Sequence, residues 1–212
     1  MDPTAGSRSA AHESYAGIVD DRDLSERTLE RRVIHRGRYL TFRIDTVADA
    51  EGREHTREIV EHPGAVVVLP LDGEDLLLVR QFRTPVARTL LELPAGTLDR
   101  GADGAVEEPE LAARRELGEE TGHRARSWRH LTSFWSAPGF TDERMHLYLA
   151  TCLEPIEGYS GPEPDERLRL ERLPWREAVA LAAAGAIEDA KSLVGLLWLE
   201  RLAERGELPS QD

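Results

Sequence analysis

Three glutamates, Glu116, Glu119 and Glu120, fall within five consecutive positions of the stretch AARRELGEETGH (112–123). Read as a helix turning 100° per residue, the stretch puts all three on one face about 100° wide. Like charges spaced i, i+3 and i+4 destabilise an isolated helix by roughly 0.2–0.5 kcal/mol per pair. On a partly buried face, with charges about 5 Å apart in an effective dielectric near 20, the repulsion rises to roughly 3 kcal/mol per pair. Such a face either looks into open water or gathers around positive charge. Glutamate oxygens are hard ligands suited to Mg2+ or Mn2+. Bound divalent ions would turn the repulsion into shared attraction, accept phosphate oxygens into their coordination and activate an attacking water. Arg115 stands beside the cluster, and Glu107 precedes Arg115 by eight positions.

Those side chains need a helix with defined ends. Pro109 suits a first turn, with Glu107 and Glu108 at its positive end. Gly122 predicts a stop after about Thr121. The stretch before it, LDRGADGAVEEP (98–109), reads as loop. Strands are expected from RRVIHRG, YLTFRIDTVA and HTREIVEH, polar at alternate positions and so half exposed. AVVVLPL (65–71) is a continuous apolar run and reads as a fully buried strand. LLLVRQFR (76–83), TLLELPAG (89–96), WRHLTSF (128–134), MHLYLATCL (145–153) and RLRLERL (167–173) continue the pattern, and two helical stretches, WREAVALAAAG and AKSLVGLLWLERLAERG, end it. Strands on both sides of one central helix, with helices last, predict a mixed α/β sandwich.

Extended, the helix gives E-x7-R-E-L-x-E-E-x-G from Glu107 to Gly122. This resembles the Nudix box, G-x5-E-x7-R-E-U-x-E-E-x-G-U, with U a bulky aliphatic residue. Gly101 satisfies the leading G-x5, yet Leu-Pro-Ala-Gly at 93–96 looks like the usual entry to the box, which makes Gly96 the expected equivalent behind a lengthened loop. The last position is His123 rather than an aliphatic residue, a departure that touches packing and leaves the carboxylates intact. The competing reading, a solvated acidic face, does not account for Glu107, Arg115 and Gly122 in register. The resemblance implies an α/β/α sandwich with a mixed sheet over residues 63–212, and a small N-terminal antiparallel sheet over 25–62. It implies metal binding by Glu116 and Glu120, assisted by Glu119 and by the carbonyl of Ala95. Arg115 would hold a glutamate through charge-assisted hydrogen bonds, and Glu107 would support it or orient the loop.

A second stretch, SAPGFTDE (136–143), places Pro138 sixteen residues beyond Gly122. It resembles the ADP-ribose pyrophosphatase branch of the family, and by that resemblance Pro138 and Gly139 belong to the substrate site. Gln81-Phe82-Arg83 is similar to the branch's Q-x-R, with Arg83 implied at the diphosphate; Arg57 is the candidate near the adenine, and Tyr39 could stack on a base. The general base of this branch comes from a loop after the box. GPEPDERLRLERL (161–173) matches in place and character, with Glu166 first, Glu163 next and Asp165 also a candidate; Glu119 shares the catalytic set. The branch further implies a homodimer whose N-terminal strands cross to the partner. Its reaction would be hydrolysis of ADP-ribose to AMP and ribose 5-phosphate, with Mg2+ or Mn2+ as cofactor. The alternatives are a nucleoside-diphosphate-sugar diphosphatase, for example on GDP-mannose, and a non-catalytic ADP-ribose-sensing module.

The bulk properties are consistent with a small-molecule enzyme. A formal net charge of −13 over 212 residues argues against nonspecific nucleic-acid binding and against docking on an anionic membrane. An anionic substrate would need local cations. No apolar run approaches the roughly 20 residues of a membrane helix, and MDPTAGSRSAAHESYAG has no secretory pattern, so a cytoplasmic location is expected. Residues 1–24, small, polar and charged, are expected to be disordered. The single cysteine, Cys152, is expected to be a buried small hydrophobe. H-E-x-x-H, G-x-S-x-G and G-x-x-x-x-G-K-[ST] are all missing from the sequence.

Overall fold

A computed structural model describes residues 24–101, 104–161 and 167–208. The chain divides into two compact units, with the division between Val60 and Glu61. The first unit carries a three-stranded antiparallel sheet of β1 (Arg27–Arg36), β2 (Thr41–Ala48) and β3 (Glu54–Glu61), in the order β1-β2-β3. β1 is exposed along its whole length, Leu29, Val33 and Ile34 included.

The second unit is built on β4 (Ala65–Asp72), β5 (Asp75–Arg83), β6 (Arg88–Glu92), β7 (Ala95–Thr97), β8 (His123–Trp135), β9 (Arg144–Pro155) and β10 (Leu168–Pro174). The main path runs β10-β5-β4-β9-β8. β4 and β9 are parallel, and the other neighbours on the path are antiparallel, so the sheet is mixed. The apolar run of β4 is buried from Ala65 to Leu71, as its uninterrupted pattern predicts. Its alternate residues face two cores. Val67, Leu69 and Leu71 pack with Trp175, Ala178, Leu196, Leu199 and Leu202 of α2 (Trp175–Ala183) and α3 (Ala190–Glu204). Val66 and Val68 pack with Ala112, Ala113 and Leu117 of α1 (Pro109–Thr121). The result is the expected α/β/α sandwich.

β4 and β5 pair only at their hairpin end, through Leu71 with Leu76 and Asp72 with Asp75. Beyond that point they part. β6 pairs with the far half of β5, and β7 with the start of β4. The chain from Arg88 to Thr97 thus lines the wedge between the separated strands, and the functional groups collect there.

α1 has the ends its sequence calls for. The Glu108 carboxylate caps it by accepting from the N–H groups of Glu110 and Leu111 at 2.8 and 3.2 Å, and Pro109 follows. Gly122 ends it in the left-handed conformation at φ 69°, where glycine carries no Cβ penalty. His123 half-buries itself at the start of β8, its Nδ1 2.7 Å from the Thr121 carbonyl. In the described part of the stretch before α1, Arg100 bridges Val106, and the Glu107 N–H donates to the Asp99 carbonyl at 2.8 Å. One expectation fails. Cys152 is exposed, because its backbone turns left-handed at φ 56° and breaks the strand's alternation just past buried Thr151.

Candidate active site

α1 has few large apolar residues, and its buried face includes two charged ones. Glu116 and Glu120 retain only 6% and 4% of their accessible surface. Buried carboxylates demand a counter-charge and hydrogen bonds. Arg115 supplies much of both. Its Nη1 donates to Glu116 Oε1 at 2.6 Å and to Glu119 Oε2 at 2.9 Å. Its Nη2 donates to Glu107 Oε2 at 2.9 Å and to the Thr97 carbonyl at 3.3 Å, with Nε 3.3 Å from Glu107 Oε1. Burial alone would lower the Arg115 pKa, but the carboxylates of Glu107, Glu116 and Glu119 overcome it and raise the value above the ordinary arginine range. The bond from Arg115 holds the Glu107 carboxyl below its usual range. The sequence pairs Arg115 with one glutamate; the structure gives it three.

The floor beneath these carboxylates is Ala95–Gly96. The Ala95 N–H donates to Glu120 Oε2 at 3.0 Å. A Cβ built on Gly96 would stand 1.8 Å from Glu116 Oε1 and 2.0 Å from its carboxyl carbon. Only glycine lets the chain approach that closely, which supports Gly96 as the residue equivalent to the glycine that opens the box.

Ala95, Gly96 and Thr97 also line an open cleft of about 400 Å3, with Arg83, Glu92 and Lys191 on its wall. Arg83 makes a two-pronged bond to Glu92, Nε to Oε1 at 2.9 Å and Nη2 to Oε2 at 2.7 Å. Lys191 Nζ also pairs with Glu92, and lies 3.0 Å from Asp189 Oδ2. Burial pushes the Glu92 pKa up, and the two cations more than reverse that, leaving it below the usual range. The bond to Glu92 raises the Arg83 pKa.

The structure separates the remaining candidates. Pro138 and Gly139 sit on an exposed turn, closed by N–H bonds from Phe140 and Thr141 to the Ala137 carbonyl at 3.1 Å, between the cleft residues Ser136 and Glu143. Asp142 in that turn accepts from the His62 N–H at 2.7 Å. Arg57 belongs to the first unit, where its Nε donates to Glu26 at 3.0 Å; Tyr39, also there, is half exposed beneath Arg38. Glu163, Asp165 and Glu166 lie outside the described residues. Sequence reasoning missed Glu92, Lys191, Asp189 and the cleft carboxylate Glu143. Glu92 lies just before Leu-Pro-Ala-Gly, where the resemblance singles out Ala95 and Gly96 alone, and Lys191 is the second residue of a helix whose sequence assigns it no role at the site. An acid inside the apolar run TLLELP, and the single lysine of the sequence at the head of a helix, were the available signals.

The donor set fits a hard divalent ion. Glu116, Glu119 and Glu120 bring carboxylate oxygens to one face, two of them nearly buried, at a glycine where no side chain can intrude. Among the described residues no group of three His, Cys, Asp or Glu side chains is already closed up as a metal cage; Arg115 bridges Glu116 and Glu119 instead.

The NUDIX domain matches residues 61–194. ADP-ribose pyrophosphatase of Bacillus subtilis is 36% identical over 180 residues, covering 84% of this chain and 95% of that protein. The methanol dehydrogenase activator of Bacillus methanolicus is 36% identical over 176 residues, covering 82% and 92%. GDP-mannose pyrophosphatase of Cronobacter sakazakii is 30% identical over 194 residues, covering 89% and 95%. A crystal structure described as an ADP compounds hydrolase superposes with a TM-score of 0.72 at 23% identity, covering 86% of this chain and 97% of that one, and shares the fold. The matched span holds the glutamate helix, its glycine floor and its wall of cations, and with that span the chain belongs to the NUDIX family.

Proposed function

We propose that this protein is a divalent-metal-dependent diphosphatase that hydrolyses ADP-ribose to AMP and ribose 5-phosphate. The observation that carries the reading is the meeting of two nearly buried carboxylates, Glu116 and Glu120, at Gly96 and Ala95, beside a cleft that also presents Arg83 and Lys191. Glu116 and Glu120, with Glu119 and the Ala95 carbonyl, would hold Mg2+ or Mn2+. When bound, such ions neutralise diphosphate oxygens and acidify the attacking water. Arg115 and Glu107 keep the carboxylates in place. Arg83 and Lys191 supply the local cations that an acidic chain needs to accept a diphosphate. Pro138 and Gly139 shape the substrate side, and Glu166, or else Glu163, takes the proton from water. Arg57 contacts the base from the N-terminal sheet. Two chains form a homodimer through that sheet, a reading supported by the exposure of β1 on both faces. The protein works in the cytoplasm; no described helix is long and apolar enough to cross a membrane.

A panel of nucleoside diphosphate derivatives, hydrolysed with and without Mg2+ and followed by product identification, tests the proposal. AMP and ribose 5-phosphate as products, with ADP-ribose leading in kcat/KM, are expected. A marked preference for GDP-mannose would overturn the substrate, and tight binding of ADP-ribose without cleavage would overturn the enzyme.

A further inference from the structure

We propose that Glu92 is a positioning residue that presets Arg83 and Lys191 as a paired grip for a diphosphate, an inference that rests on the function proposed above. Glu92 is fully buried, and both its oxygens are engaged: Oε1 by Arg83, Oε2 by Arg83 and Lys191. A carboxylate with only a packing role is a poor use of such a position, since apolar replacement of buried ion pairs is often neutral or stabilising. Both cations it holds line the cleft, Arg83 with 38% of its side chain exposed and Lys191 nearly buried at 9%.

The anchorage extends beyond the pair. Asp189 receives Lys191 at 3.0 Å and caps α3 by accepting from the Ser192 N–H at 3.0 Å and hydroxyl at 2.6 Å. Ser192 Oγ in turn accepts from the N–H of Leu93, the residue after Glu92, at 2.7 Å. The end of β5, the end of β6 and the start of α3 are thereby locked around one carboxylate. Two cations face two anions here, so Arg83 and Lys191 sit side by side without net repulsion, already oriented before a ligand arrives. Preorganisation of this kind strengthens binding by removing ordering costs.

The test is Glu92→Gln, read by calorimetric binding of inorganic pyrophosphate with Mn2+, by steady-state kinetics on ADP-ribose and by Tm. Pyrophosphate Kd and ADP-ribose KM should each rise at least tenfold while kcat falls less than threefold. Arg83→Lys keeps the charge but cannot make the two-pronged bond. It should weaken pyrophosphate at least fivefold, and the two substitutions together should cost less than the product of their separate effects. A lowered Tm with wild-type Kd and KM would make Glu92 merely structural and overturn the proposal. If Glu92→Gln fails to fold, a wild-type pyrophosphate Kd in Arg83→Lys overturns it equally. Wild-type protein that binds pyrophosphate but leaves ADP-ribose intact would remove the proposed substrate alone, and the pyrophosphate measurements would still decide the role of Glu92.

Discussion

Gly96→Ala is the sharpest single perturbation of this site. Gly96 is not among the residues with positive φ, so alanine meets no left-handed backbone penalty, and the three atoms nearest its Cβ all belong to the Glu116 carboxylate. The added Cβ would lie 1.8 Å from Oε1, 2.0 Å from the carboxyl carbon and 2.5 Å from Oε2. Retreat from 1.8 Å to the 3.0 Å that real Cβ contacts respect moves the carboxylate by about 1.2 Å. Glu116 is nearly buried, so it can retreat only by abandoning the 2.6 Å bond from Arg115. Losing one charged hydrogen bond costs about 1.5–3 kcal/mol, a loss a domain of this size survives. Misplacing a catalytic group by about 1 Å costs about 100-fold in rate. We therefore expect a folded protein whose kcat/KM for ADP-ribose drops about 100-fold and whose Mn2+ affinity, followed by electron paramagnetic resonance, drops about tenfold. Glu116→Asp, one methylene shorter, should harm the parent but partly rescue Gly96→Ala. Wild-type kcat/KM and wild-type Mn2+ binding in Gly96→Ala would refute the claim that the Glu116 carboxylate works where it lies on this glycine.

Glu120→Gln keeps an acceptor for the Ala95 N–H but removes a charge. Turnover at saturating Mg2+ should fall at least about 100-fold with little change in Tm, and full activity there would show that Glu120 holds no metal. Gly122→Ala combines a φ of 69° with a Cβ 2.4 Å from the Tyr159 ring, and should destabilise the fold by about 1–3 kcal/mol, read as a lower urea midpoint. His130 and His146 share the Ser133 hydroxyl at 3.0 and 2.9 Å, and partial burial, slighter for the more exposed His130, together with the nearby Arg144 charge lowers both pKa values from the ordinary 6.5. Below 6.5 the unfolded chain binds more protons than the folded one. Stability should thus decline from pH 7.5 to 5.5, and less steeply in His130→Gln/His146→Gln; equal slopes in the two proteins would count against burial as the cause.

The fold was readable where one local signal sufficed. β4 announces itself as an apolar run with no polar interruption, and both of its faces are covered. α1 is delimited by Pro109 and Gly122, whose backbone demands do not depend on tertiary context. Cys152 went the other way, since the apolar run around it says nothing about a left-handed residue inside a strand. The carboxylate face was readable for the same reason as α1: helical geometry alone brings Glu116, Glu119 and Glu120 together. Glu92 and Lys191 are 99 residues apart, and no local periodicity relates them.

What sequence patterning does not carry is why the site forms where it does. β4 and β5 cannot complete their ladder past Leu71 and Leu76, so the chain entering the wedge carries backbone donors that need partners elsewhere. Leu93–Pro94–Ala95 has only two such donors, because proline has none. Ser192 at the start of α3 accepts from the Leu93 N–H, and Glu120 on α1 accepts from the Ala95 N–H. The Pro94 carbonyl is used by the Val68 N–H at 2.8 Å. A tripeptide whose proline locally signals no more than the end of a strand therefore ties helices on both faces of the sheet to one point. The same point sets Glu92 on one side of it and Gly96 on the other. Satisfying the backbone of an incomplete sheet is thus what brings the carboxylates of α1 and the cations of the cleft wall to the same place.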